Sequence, residues 1–349
     1  MKITFRWYGK GDRITLDQIR QIPFVRGVVS AIYDTPPGSI WKEESIKELV
    51  ESAQEKGLEC EVIESVPVHE DIKLGLPSAK KYIENYKENI RRLGKYGVKC
   101  ICYNFMPVFD WLRSDLEKEQ KDGANALSYS HDKVLSMDPL KSELSLPGWD
   151  SSYSKEDLKA LLNKYKNVGP EELWANLTVF LKEIIPVAEE CGIKMAIHPD
   201  DPPWPIFGLP RIITDYENIK RFLRVVDSPS NGITLCTGSL GVAGENDLIK
   251  IIKMAKGRVH FVHIRNVKRS GERDFEETAH PSEYGSIDIF EIVKALHETG
   301  FDGYVRPDHG RMIWGEKGRY GYGLYDRALG ATYIGGLFEA VEKCKKSNK

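Results

Sequence analysis

Four segments of the 349-residue chain each end an apolar run on a side chain able to hold a metal ion: AIHPDD at His198, TLCTGS at Cys236, VHIRN at His263 and RPDHG at Asp308. Imidazole, thiolate and carboxylate are the usual protein ligands of divalent transition metals. Alternation along an extended strand tests whether the four share a face. With Ile193, Met195 and Ile197 outward, His198 turns inward. Ile233 and Leu235 outward bring Cys236 in, Val262 and Ile264 bring in His263 and Arg265, and Val305 brings in Arg306 and Asp308. By the same rule His260 and His263 fall on opposite faces, so the HxxH of VHFVH is not a chelating pair.

His309 directly follows Asp308 and can face the same pocket without ligating, as a general acid or base near neutral pH. The Gly- and Tyr-rich segment GRMIWGEKGRYGYGLYDRALG brings Tyr320, Tyr322 and Tyr325 as candidate proton donors or substrate contacts. Arg265 and Arg306, inward beside the ligands, could grip a substrate carboxylate in bidentate fashion. The remaining candidates have simpler readings. Cys100 and Cys102 share one face of a strand and read as core packing. His69, His131, His280 and His297 read as solvated or capping residues, with His280 the one that could reach the site. The basic run Lys343–Lys349 reads as a solvated tail.

These residues need a scaffold that sets several strand ends side by side. The chain repeats one unit: an amphipathic helix, a Gly, then a short apolar strand. QEKG precedes Leu58–Ser65, GKYG precedes Val98–Met106, EECG precedes Ile193–Asp200 and PSNG precedes Ile233–Ser239. AKG precedes Arg258–Asn266, and ETGFDG precedes Tyr304–Gly310. Gly after a helix reads as a left-handed stop. Ile3–Gly9 and Phe24–Ile32 complete eight strands. Ile46, Leu49, Val50 and Ala53 keep helical spacing, as do Trp174, Leu177, Leu181 and Ile184, with a kink expected at Pro186. Strands separated by helices require parallel crossovers, and eight such units predict a (β/α)8 barrel, a TIM barrel of the α/β class, with catalytic groups at the strand C-termini. GKGDR after the first strand does not match GxGxxG, which disfavours an open dinucleotide-binding sheet. Residues 107–170 break the rhythm after the fourth strand. They read as a long helical insertion, a lid or oligomer contact, with a charged helix over Asp110–Asp122, a loop at LSLPGWDSSYS and an N-cap at Ser154. The whole of 1–349 is expected to be one domain.

Composition narrows the classes. Lys plus Arg is 50 against 52 Asp plus Glu, a net charge of −2, with no basic stripe for nucleic acid. No apolar run spans a membrane and no signal peptide is visible. Six scattered cysteines without CxxC fit free thiols in a reducing cytosol, so the protein is expected to be cytoplasmic.

The segments HPDDPPWPIFGLPRI, LCTGSLG, HIRN, RPDHGR and GYGLYDRALGA, with TFRWYG and GLECEVIESVPVHEDIKLG, together resemble the bacterial mannonate dehydratase family along essentially the whole chain. The resemblance implies a xylose-isomerase-like barrel. It implies a hydro-lyase that dehydrates D-mannonate to 2-dehydro-3-deoxy-D-gluconate in hexuronate catabolism, with Mn2+ or Fe2+ as cofactor. It places the metal ligands at His198, Cys236, His263 and Asp308, the catalytic His at His309, and the catalytic Tyr in the GYGLYDRA loop at Tyr322 or Tyr325. Arg265, Arg306 and Tyr325 are expected to contact substrate, and the protein to assemble as a homodimer without nucleic-acid or membrane partners. A two-metal sugar isomerase or epimerase on the same fold, and a non-catalytic sugar-acid binding protein, are the competing readings. Turnover of D-mannonate to a 2-keto acid separates them.

Overall fold

The computed structural model describes residues 1–140 and 154–347. In chain order its strands are β1 (Lys2–Arg6), β2 (Val25–Ser30), β3 (Glu59–Glu64), β4 (Cys100–Tyr103), β5 (Asp115–Glu119), β6 (Asn125–Tyr129), β7 (Lys194–Ile197), β8 (Asn231–Cys236), β9 (Val259–Ile264), β10 (Val267–Arg269), β11 (Phe275–Glu277) and β12 (Tyr304–Pro307). Eight of them, all paired in parallel, close a barrel in the order β1-β12-β9-β8-β7-β4-β3-β2. These are the eight strands read from the sequence.

The alternation holds on both faces. Val29, Val62, Cys100, Cys102, Ala196 and Phe261 fill the barrel interior. Ile101, Met195, Ile197, Ile233, Leu235, Val262, Ile264 and Val305 join the larger core between strands and helices. Cys100 and Cys102 are thus interior packing residues. The expected left-handed stops are present at Gly57, Gly97, Gly192, Gly257 and Gly300, with φ from +65° to +85°. Gly232 differs: it lies inside β8, where a Cβ would come within 2.3 Å of the Arg258 carbonyl and of His260 Nε2. Close approach between neighbouring strands, not a helix stop, selects glycine there. The helix Pro170–Glu190 runs on through Pro186, and Ser154 caps the helix Lys155–Tyr165 by accepting from Asp157 N. His69 caps a short helix by accepting from Asp71 N.

Residues 107–170 differ from the expectation. The segment expected as a charged helix holds β5 and leads into β6, an antiparallel hairpin turning at Gly123 (φ +81°). Charge density favoured a helix, but Asp122 accepts from Ala124 N and fixes the turn, while Leu127 and Tyr129 are buried from β6. The hairpin joins β10 and β11 in a four-stranded sheet ordered β10-β11-β6-β5. This ties the segment after β4 to the one after β9. The loop at LSLPGWDSSYS lies, apart from Ser154, outside the described residues. In the C-terminal basic run the last helix, Tyr325–Ser347, continues through Lys343, which is exposed as expected; residues 348–349 lie outside the described residues. No helix of the described residues is long and apolar enough to cross a membrane.

Candidate active site and metal centre

The C-terminal ends of β7, β8, β9 and β12 bring His198, Cys236, His263 and Asp308 together. In register, Cys236 lies opposite His263, and His263 opposite Arg306, two residues before Asp308. His198 Nε2 is 3.2 Å from His263 Nδ1, which is 3.7 Å from Asp308 Oδ1, and Asp308 Oδ2 is 3.6 Å from Cys236 Sγ. Donor atoms about 2.1 Å from a shared tetrahedral ion would lie about 3.4 Å apart. Donors from His198, Cys236 and His263 all fall within 4.8 Å of one another.

The surroundings also fit an ion. His198 Nδ1 is 2.6 Å from the Pro199 carbonyl, which leaves Nε2 as the free lone pair facing the cluster. His263 turns Nε2 towards Glu64, 3.3 Å away, and so presents Nδ1. Cys236 Sγ accepts from Ser239 N at 3.4 Å and Ser239 Oγ at 3.0 Å, which fixes the sulfur's direction. Burial alone would raise the Asp308 carboxyl, but the charges of Arg306 and Arg265 hold it well below the usual carboxylate range. Asp308 is therefore ionised, as a ligand must be. The residues fit a single divalent transition metal. A second cluster, Glu64–Cys102–His263, shares His263 and so cannot be filled together with the first; arginines stand on both carboxylates, Arg306 and Arg6 on Glu64, and Arg306 and Arg265 on Asp308.

Beside the donor set, His309 and Tyr322 form a hydrogen-bonded pair able to pass a proton. His309 Nε2 and Tyr322 Oη are 3.0 Å apart, and both side chains are buried. His309 Nδ1 lies 2.9 Å from Glu277 Oε1 and 2.8 Å from Arg265 Nη1, and it cannot donate to one and accept from the other. Glu277 can only accept, and Arg265 has Glu277 itself at 3.2 Å, so the Nδ1 proton goes to Glu277. Nε2 is then a lone pair that accepts from the Tyr322 hydroxyl. Burial, with Tyr8 beside it, pushes that hydroxyl well above the usual phenol range. Trp111 packs on the other side of His309, ring centres 4.8 Å apart.

Glu277 belongs to a buried ion network. Arg113 donates to both oxygens of Asp201 (2.8 and 3.0 Å) and to Glu277 (2.9 and 2.8 Å), and Arg265 donates to Asp201 at 2.8 Å. Burial would raise the Glu277 carboxyl, but His309, Arg265 and Arg113 bring it down to about 2. Arg113 comes from the segment before β5 and Glu277 from β11, so the four-stranded sheet sets the far side of His309.

His198 and Asp308 of the cluster, His309 and Tyr322 line one cavity of about 580 Å³, walled also by Trp111 and Leu116 from the segment after β4. Arg265 and Arg306 line it as expected, yet each is engaged within the chain. Arg265 pairs with Asp201, Glu277 and Asp308, and Arg306 with Glu64 and Asp308 (2.8 Å). Tyr320 also lines the cavity. Tyr325 does not: it opens the last helix, 42% exposed, with its ring 5.5 Å from that of Trp314. The geometry therefore separates the two loop tyrosines and sets Tyr322 beside His309. His280 is buried against Gly330 and outside the cavity wall; burial lowers its pKa. Sequence reasoning missed Arg6, Glu64, Trp111, Arg113, Asp201 and Glu277. Strand alternation, extended to the ends of β1 and β3, would have found Arg6 and Glu64. Nothing in the spacing marked Arg113 or Glu277.

Fold and site define the class: a xylose-isomerase-like barrel with a candidate metal-donor cluster beside a His–Tyr pair. A family model described as D-mannonate dehydratase (UxuA) matches residues 1–348, and the chain belongs to that family. It is 56% identical to a mannonate dehydratase of Streptococcus uberis over 99% of this chain and all of that protein. It is 49% identical to the crystal structure of mannonate dehydratase from Streptococcus suis serotype 2, with a TM-score of 0.93, covering 99% of this chain and 96% of that one. D-Psicose 3-epimerase from Clostridium cellulolyticum H10, 16% identical with a TM-score of 0.55 over 99% of each chain, shares the fold alone.

Proposed function

We propose that this protein dehydrates D-mannonate to 2-dehydro-3-deoxy-D-gluconate and water, as the hexuronate-pathway step its family is named for. The observation that carries the reading is the hydrogen bond between His309 and Tyr322, set against a donor cluster suited to one divalent cation. His198, Cys236, His263 and Asp308 would hold Mn2+ or Fe2+, for which a mixed imidazole, thiolate and carboxylate set is suited. When bound, the ion supplies Lewis acidity to a substrate carboxylate and 2-hydroxyl, easing charge development as the C2 proton departs.

The chain's own residues move the protons. His309 Nε2, kept as a lone pair by Glu277, accepts the proton from C2. Tyr322, kept protonated by burial, donates to the 3-hydroxyl as the C3–O bond breaks and water leaves. The electron pair of the C2–H bond becomes the C2–C3 double bond, and the enol tautomerises to the 2-keto acid. The proton on His309 returns to Tyr322 through their hydrogen bond. A sugar isomerase or epimerase would not release water, so formation of one 2-keto acid per D-mannonate by the metal-loaded protein tests the reading. Recovery of an epimeric aldonate instead would refute it.

The six cysteines are all free thiols, which supports a reducing, cytoplasmic setting. Trp314, Tyr325 and Leu329, exposed at 74, 42 and 50%, support self-association as a homodimer. Light scattering on the purified protein checks the latter.

A further inference from the structure

The cavity contains one buried cation that the chain leaves largely unanswered. Arg6 closes β1 with its side chain inward and more than nine-tenths buried, and it lines the cavity. Among the described residues its Nε and Nη1 have no hydrogen-bond partner. The nearest acid is Glu64, whose Oε2 is 3.5 Å from Arg6 Nη1, beyond a good hydrogen bond. Glu64 is already committed to Arg306, which donates to it at 3.0 and 3.1 Å. The other two arginines at the donor cluster are engaged as described above. Arg265 does keep one unpartnered nitrogen, Nε, but it is turned against the backbone of Gly238, where a Cβ would come within 1.9 Å. Arg6 is held by aromatic faces instead: Tyr8 lies 4.9 Å and Tyr33 6.0 Å from its guanidinium carbon.

Resting on the dehydratase reading, we propose that Arg6 is the substrate's carboxylate anchor, the role the sequence suggested for Arg265 and Arg306. A desolvated guanidinium with free donors is built for an anion, and its planar fork matches a carboxylate. Placement picks out which end of the sugar acid it meets. Glu64 Oε2 stands between Arg6 and the His263 ring, 3.5 Å from one and 3.3 Å from the other, so Arg6 is one carboxylate away from the donor cluster. In the pose proposed here C2 and C3 lie between that cluster and His309, with the carboxylate on C2 directed to Arg6. Arg6 therefore discriminates acids from neutral sugars, while Arg265 and Arg306 keep the carboxylates around them in place.

The test compares the metal-loaded parent with Arg6→Gln and Arg6→Lys. It measures KM and kcat for D-mannonate, the inhibition constant of the uncharged D-mannonamide, metal content and thermal stability. Losing charge-assisted hydrogen bonds to one carboxylate should raise KM for D-mannonate about 10–100-fold in Arg6→Gln. D-Mannonamide inhibition should change far less, metal content and melting temperature should hold, and Arg6→Lys should recover part of the loss. An Arg6→Gln KM within threefold of the parent would overturn the proposal. So would equal weakening of acid and amide, or loss of the metal. A parent inactive on D-mannonate would instead refute the dehydratase reading, before any variant is made.

Discussion

Glu277→Gln isolates the orientation of His309 from its chemistry. The carboxylate receives two hydrogen bonds from Arg113, one from Arg265 and the Nδ1 proton of His309. A glutamine has the same shape but one oxygen and one NH2. Arg113, Arg265 and His309 all converge on Oε1, while Oε2 lies 3.0 Å from His309 Nδ1 alone. With the glutamine oxygen in the Oε1 place the donors keep an acceptor but lose its charge, and the NH2 in the Oε2 place meets the Nδ1 proton. With the NH2 in the Oε1 place it meets the guanidinium donors, Nδ1 must accept, the proton moves to Nε2, and Nε2 can no longer accept from Tyr322 or from substrate. A wrongly held tautomer costs a general base most of its effect, about 10²–10⁴-fold in kcat. Stability falls as well. The Glu277 carboxyl is brought from its ordinary 4.5 down to about 2 in the fold. Each pH unit is worth about 1.4 kcal/mol, giving roughly 3 kcal/mol. Removing one partner of a buried ion pair costs about 3–5 kcal/mol, in agreement. A folded-state pKa below the unfolded one adds stability that is present above pH 4.5 and lost as pH falls towards 2. The variant should therefore lose about 3 kcal/mol at neutral pH and lose less than the parent on acidification through that window. Denaturant unfolding between pH 3 and 7, with kcat and metal content measured in parallel, reads all three quantities. A variant with metal retained, kcat within threefold of the parent and unchanged stability would refute the relay. Glu277→Asp, which keeps the charge, should recover part of both losses.

Asp308→Asn and Cys236→Ala should lower bound Mn2+ severalfold or more by elemental analysis, because each removes an anionic donor; full occupancy in both would remove these residues from the centre. Chelation should abolish D-mannonate turnover and Mn2+ should restore it, and activity surviving exhaustive chelation would exclude a metal-dependent step. His309→Asn and Tyr322→Phe should keep near-normal metal content while kcat falls about 10²–10⁴-fold; metal loss in either would show that the pair also builds the centre. Tyr325→Ala, outside the cavity and exposed, should leave kcat/KM within threefold. A tenfold loss would return that residue to the substrate site.

The barrel and its donor cluster were legible because both follow from short-range periodicity. Two-residue alternation fixed the inward face of each strand end, so His198, Cys236, His263 and Asp308 could be placed together without knowing the closure. Helix stops at Gly57, Gly97 and Gly192 marked where strands begin, and their positive φ values bear this out. The reading failed where pairing is non-local. A run rich in Lys and Glu between Asp115 and Glu119 satisfies helical composition, yet it pairs with β6, which in turn pairs with β11 about 150 residues later. Local composition carries no trace of that partner. For the same reason Arg113 and Glu277 were invisible, since each gains its meaning only from the other.

The two parts of the site thus have different architectural origins. The donor atoms sit on barrel strands, whose register is fixed by interior packing around Val62, Cys100, Ala196 and Phe261. Tyr322 and the groups that orient His309 come from outside the barrel, on the segment after β12 and on a sheet assembled from two insertions. A barrel of this fold can therefore keep metal-ligating strand ends while exchanging the groups that move protons. The 16%-identical epimerase shares the fold alone. In this chain the contacts of the four-stranded sheet at the site converge on one atom: the Nδ1 of His309, held by a carboxylate from β11 that Arg113 and Arg265 keep ionised.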